Sequence, residues 1–119
     1  MKEIISFSRD EAERLGNDYI GTEHLLLGLL RGDNTASRFL KSFKVDIQEM
    51  QNKIEMSIKS DKGRQNSLPL NVSAEQTIYG AVSEAKTLKS KRVTPEHLIL
   101  SILNNSATAP TILDHIRRN

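Results

Sequence analysis

The dipeptide Glu-His occurs twice, as Glu23-His24 and Glu96-His97, 73 residues apart, and these pairs are the chain's first candidates for chemistry. An imidazole beside a carboxylate has the parts for proton transfer or for holding a metal ion. His115 brings the histidines to three. Adjacent side chains on a helix diverge by about 100°, however, so a Glu-His pair cannot easily close on one ion. The chain has no cysteine, which removes thiol nucleophiles and thiolate metal sites. It also lacks a GxxxxGK(S/T) loop, a GxGxxG turn and an HExxH pair. No base-and-orienter arrangement accompanies a nucleophile. The expectation is a non-enzymatic chain with no catalytic residue, no metal and no cofactor. As third residues of their helices, His24 and His97 are expected to satisfy backbone or carboxylate partners.

The two glutamates are more informative. Each sits in a first helical turn, where backbone amides are unpaired and the helix dipole is positive. Compensating that dipole is worth about 0.3–1 kcal/mol and needs no ligand. A sharper role is paired recognition, with the amides holding an anion and the carboxylate holding a guanidinium or ammonium. The residue pattern leaves both roles open.

The elements that must position these residues form a duplication. Shifting the chain by 73 residues aligns Glu11–Phe43 with Glu84–Ile116 without gaps, with 11 of 33 positions identical. The matches include Glu23/Glu96, His24/His97, Leu25/Leu98, Thr35/Thr108 and Ala36/Ala109. Two unrelated helices share a leucine period easily, but not these polar pairs in register. The reading is a single all-α domain over 1–119, with repeat one at 1–60, a polar linker at 61–72 and repeat two at 73–119. A pseudo-twofold axis is expected to relate the repeats.

Within repeat one, Ile4, Ile5, Ser8, Ala12 and Leu15 form a helical stripe that Gly16-Asn17-Asp18 ends. In repeat two, Ser73-Ala74-Glu75-Gln76 fits a capping box, followed by an apolar face of Ile78, Ala81, Val82, Ala85 and Leu88. Second helices start after Gly21 and after Thr94, which puts Pro95 at a first helical position, where its missing N–H costs nothing. Third helices begin near Thr35 and Thr108, read as N-caps. A fourth, capped at Asp46 and lined by Ile47, Met50, Ile54 and Ile58, has no counterpart before the chain stops at Asn119. Repeat two therefore reads as cut short, as if excised from a longer chain or missing its last helix. Gly28 within LLLGLL costs about 1 kcal/mol relative to alanine, and a close helix crossing explains it. Ser101 keeps the matched position small.

Composition narrows the class further. The 119 residues carry a net charge of +2, close to −1 through Ser60 and +3 after it. That is no strongly basic nucleic-acid module. Aromatic residues make up 4% and tryptophan is absent, so base-stacking surfaces are poorly supplied. No apolar run approaches the roughly 20 residues of a membrane span, and the first residues lack the apolar stretch of a secretory signal. A cytoplasmic protein with no membrane partner is expected. Lys86, Lys89, Lys91 and Arg92 cluster at one helix end and are read first as a solvated surface, with an acidic or phosphate partner as the minority reading.

EAERLGNDYIGTEHLLLGLLRGDNTASRFL, followed by the degenerate copy VTPEHLILSIL, resembles the duplicated Clp N-terminal domain, with repeat one most like the ClpC branch. The resemblance covers nearly the whole chain. It implies a domain ahead of AAA+ ATPase rings in ClpC- and ClpA-type unfoldases, receiving adaptor proteins and protein substrates for a ClpP-type peptidase. It also implies, for some ClpC proteins, recognition of phosphoarginine through the GTEH segment. Carried over by position, the ligand-binding residues are Gly21, Thr22 and Glu23, with Thr94, Pro95 and Glu96 in repeat two. The glutamate would pair with the guanidinium while helix-start amides hold the phosphate. Pro95 removes a hydroxyl and an amide, so the second site is expected to be weaker or absent. A stand-alone Clp-repeat adaptor without an ATPase is the alternative. A helical nucleic-acid-binding module ranks lower, because the second helices carry leucines where base-reading side chains are needed.

Overall fold

A computed structural model of the chain describes residues 2–59 and 69–104. Its elements are α1 (Lys2–Arg14), α2 (Thr22–Arg31), α3 (Thr35–Ser42), α4 (Ile47–Ile58), α5 (Val72–Thr87) and α6 (Pro95–Leu103). The fold is all-α among the described residues. Its one extended pairing is an isolated parallel bridge between Ile20 and Leu70. There the Ile20 N–H donates to the Pro69 carbonyl at 2.7 Å and the Asn71 N–H to the Ile20 carbonyl at 2.9 Å. This bridge ties the entry of α2 to the entry of α5. The third helix expected in repeat two, with Thr108 and His115, and most of the linker lie outside the described residues.

The stripe expected on α1 is inward: Ile4, Ser8, Ala12 and Leu15 are buried, and Ile5 is half-buried. Beyond α1 the chain turns through Gly16 at φ 75°. The Gly16 N–H reaches back to the Glu13 carbonyl and the Asn17 N–H to the Ala12 carbonyl. This is a Schellman ending, which satisfies carbonyls the helix leaves open. The same ending recurs on α5, from Lys89 to Lys86 and from Ser90 to Ala85, with Lys89 at φ 57° where repeat one has glycine.

Three local expectations change. Asn71, not Ser73, caps α5, its side chain accepting from the Ala74 N–H. Asn34, not Thr35, caps α3 through the Ser37 N–H. Leu88 does not join the buried face of α5 but is 59% exposed. The buried residues of α5 are Ala74, Thr77, Ala81 and Ala85, small side chains that let α6 lie close.

α2 is the centre of the domain, packing on each of the other five helices. Eight of its ten residues are buried. Full burial of a leucine is worth about 1.5–3 kcal/mol, so this element anchors the fold. Gly28 lies against α1, where an added Cβ would stand 2.7 Å from the Ile4 carbonyl oxygen and 2.5 Å from Ser8 Oγ. Ser8 Oγ donates to that Ile4 carbonyl at 2.6 Å. In repeat two the carbonyl of Thr77, which aligns with Ile4, receives a serine hydroxyl from the opposite helix, Ser101 on α6, also at 2.6 Å. The duplication keeps the hydrogen bond and exchanges which helix supplies it.

Candidate functional site

α2 and α6 begin alike. Gly21 and Thr94 occupy the N-cap positions in extended conformation. Each donates its backbone N–H to a histidine one turn ahead: Gly21 to His24 Nδ1 at 2.8 Å and Thr94 to His97 Nδ1 at 2.9 Å. Both histidines thus fill the place that Glu or Gln takes in a capping box. Their role is backbone satisfaction, as expected from the sequence.

His24 does more than cap. Because Nδ1 accepts, its proton sits on Nε2, which donates to Asn17 Oδ1 at 2.7 Å. Asn17 Nδ2 in turn donates to the Ile58 carbonyl at 2.7 Å. This relay links the start of α2 to the end of α4. Burial holds the imidazole neutral, with its pKa lowered to about 4. From sequence alone Asn17 is only part of the Gly16-Asn17-Asp18 helix stop. In repeat two its place is taken by Ser90, whose hydroxyl donates instead to the Arg92 carbonyl.

The six candidate ligand residues divide by environment. Gly21 is buried and Thr22 fully so. Thr22 Oγ1 lies 2.8 Å from Ser73 Oγ and 3.3 Å from Thr77 Oγ1 on α5. Its hydroxyl therefore helps hold the two repeats together. Glu23 is half-buried. Burial, together with the charges of Glu23 and Asp18, pushes the nearby Tyr19 phenol up. Thr94 and Pro95 are half-buried and Glu96 is exposed. The amide supply also differs. Pro95 has no N–H, and the His97 N–H turns back to the Thr94 carbonyl at 3.0 Å, leaving the Glu96 amide at the start of α6. The start of α2 keeps the amides of Thr22, Glu23 and His24, of which only that of Glu23 belongs to a residue that reaches the surface.

Glu96 has a neighbour the sequence did not reveal. With Ile99 and Leu100 of α6 and Thr35, Ala36 and Phe39 of α3, it lines a cleft of about 230 Å³. Phe39 is 44% and Leu100 40% exposed, and Phe39 stacks edge-on with Phe43 at 5.1 Å. Periodicity could not find this cleft. Leu27, which aligns with Leu100, is 1% exposed, and only tertiary packing separates them.

Among the described residues no three His, Asp or Glu side chains converge on a point that could hold a metal. No helix there is long and apolar enough to cross a membrane.

Comparison with known proteins fixes the relationship. Residues 1–116 match the model of the Clp repeat (R) N-terminal domain. The chain is 30% identical over 117 residues to the chaperone protein ClpB of Oceanobacillus iheyensis, and 27% identical over 117 residues to the negative regulator of genetic competence ClpC/MecB of Bacillus subtilis. Each alignment covers 97% of this chain and 14% of the relative, so the chain spans a small part of their length. Among solved structures, the N-terminal domain of the chaperone ClpD from Arabidopsis thaliana superposes with a TM-score of 0.76 at 25% identity, covering 99% of this chain and 82% of that one. The Hsp104 N-terminal domain from Candida albicans gives 0.79 at 16% identity, covering 96% and 77%, a likeness of fold. The chain belongs to the Clp repeat N-terminal domain family.

Proposed function

We propose that this chain is the substrate- and adaptor-receiving domain of a Clp-type AAA+ unfoldase, delivering proteins through an ATPase ring to a ClpP-type peptidase. The observation that carries the docking role is the cleft between α3 and α6. It exposes an aromatic ring and a leucine beside one carboxylate, Glu96, a surface suited to an apolar protein segment. The domain itself binds and does not turn over substrate; ATP hydrolysis belongs to the ring.

The helix starts add a second mode. At the head of α2 the half-buried Glu23 offers its backbone amide and its carboxylate side by side, with the amides of Thr22 and His24 behind it in fully buried residues. That combination suits a phosphorylated guanidinium, whose two halves carry opposite charges, better than a plain phosphate, which the carboxylate repels. Charge-assisted hydrogen bonds of this kind contribute about 1.5–3 kcal/mol each. Phosphoarginine binds more tightly at Glu23 than at Glu96, because only one amide remains at the head of α6. Calorimetry with phosphoarginine on the wild type, Glu23→Ala and Glu96→Ala tests this. The larger loss is expected in Glu23→Ala. Equal losses contradict the asymmetry, and no heat with the wild type leaves the glutamates as dipole caps and the cleft as the docking site.

A further inference from the structure

The turn that leaves α5 carries Lys86, Lys89, Lys91 and Arg92 within seven residues, all four exposed. None of them forms an ion pair among the described residues. Elsewhere three arginines are paired, Arg14 with Glu11 and Glu55, Arg31 with Asp10 and Arg38 with Asp33, while Arg9 stands alone among the described residues. Repeat one provides an internal control, since the same Schellman turn there has Glu13, Gly16, Asp18 and Tyr19 at the aligned positions. One architecture is therefore acidic in one copy and strongly basic in the other. Compensating the dipole at the end of α5 accounts for Lys86, which lies in the last helical turn, but not for Lys91 and Arg92 beyond it.

Lys89 sharpens the case. Its φ of 57° is a left-handed conformation that glycine adopts without strain and that repeat one gives to Gly16. Lys89 thus puts a fourth cation at the turn in a conformation that Lys44 also adopts in repeat one. Leu88 stands between Lys86 and Lys89, 59% exposed.

We infer that this turn is a second docking surface, separate from the cleft and the helix starts, and that it takes an acidic protein segment with interspersed apolar residues. Charge complementarity selects the acidic partner, and Leu88 selects a protein over a phosphate polymer. The turn has no aromatic ring among its residues from Lys86 to Arg92 on which a base could stack. Contacts of this type also steer association, so binding is expected to be fast and salt-sensitive.

The test uses the full chain and a fluorescein-labelled peptide of repeated Glu-Glu-Leu, followed by anisotropy at low and raised ionic strength. Lys91→Glu/Arg92→Glu is expected to weaken binding by about tenfold. Both side chains lie in the solvated loop, and circular dichroism with thermal melting confirms the variant's fold. Arg9→Glu/Lys59→Glu, which makes the same change in net charge at exposed positions elsewhere, is expected to leave binding within about twofold. Equal weakening by both variants reduces the effect to net charge and overturns the proposal. So does binding of the wild type to a single-stranded RNA, or to phosphatidylserine vesicles, more tightly than to the peptide at matched charge. A Glu-Glu-Ser peptide bound as tightly as Glu-Glu-Leu likewise refutes the apolar component. If Lys91→Glu/Arg92→Glu proves unstable, Lys91→Ala/Arg92→Ala answers the same question, with a loss of about threefold expected and unchanged binding counting against the proposal.

Discussion

Replacing Gly28 by alanine sets two physical effects against each other with opposite signs. Helix propensity alone predicts a gain of about 1 kcal/mol. Packing predicts a loss, because the new Cβ would stand 2.5 Å from Ser8 Oγ, 2.7 Å from the Ile4 oxygen and 2.9 Å from the Ser8 nitrogen. Two of these atoms are backbone, so no rotamer change relieves the contact and α1 must move off α2. Overpacking of this kind costs about 1–3 kcal/mol, here at the upper end because rigid backbone is involved. Displacing Ser8 Oγ from the Ile4 carbonyl adds about 1 kcal/mol. The net expectation is a destabilisation of about 2–3 kcal/mol, which for a domain of this size lowers Tm by roughly 10 °C. Urea denaturation followed by circular dichroism measures it. Adding Ser8→Ala removes the nearest clashing atom and recovers part of the loss, so the two substitutions are non-additive. A Gly28→Ala variant as stable as the wild type would refute the close crossing of α1 and α2.

Two further outcomes follow from the helix ends. Lys89→Gly relieves the left-handed strain at the end of α5 and stabilises the domain by about 1 kcal/mol; urea denaturation giving no gain would mean the turn holds lysine without strain. The His24 pKa, near 4 in the fold against an ordinary 6.5, means the unfolded chain takes up the proton first as pH falls. Its contribution is therefore complete above about pH 6.5 and disappears progressively down to about pH 4, up to about 3 kcal/mol in all. Denaturation midpoints for wild type and His24→Gln, in which glutamine can still accept from the Gly21 N–H, isolate this slope from that of the carboxylates. Parallel pH profiles for the two proteins would exclude the buried neutral imidazole.

What the sequence makes legible is what local rules control. The starts of α2 and α6, the ending after α1 and the duplication follow from glycine, proline and helix-start chemistry within a few residues. The caps of α3 and α5 shift by one or two positions because Asn34 and Asn71 compete with Thr35 and Ser73 for the same work. Both kinds of residue cap helices, and neighbouring packing chooses between them. The relay from His24 through Asn17 to Ile58 spans three elements, and only the assembled fold reveals it. The cleft depends on which leucine of a repeated pattern is left uncovered. Thr22 shows the limit most plainly: its hydroxyl meets Ser73 and Thr77 across the repeat interface, a contact no local rule foretells.

The most direct measurement of the docking role is binding of fluorescein-labelled β-casein, a permanently unfolded protein, to the wild type and to Phe39→Ala/Leu100→Ala. Both side chains are more than a third exposed, so their removal leaves the core in place. Saturable binding to the wild type and a loss of about tenfold in the variant, with unchanged helicity, are expected. Equal affinity of the two proteins for β-casein, or no binding to either, would contradict the docking role.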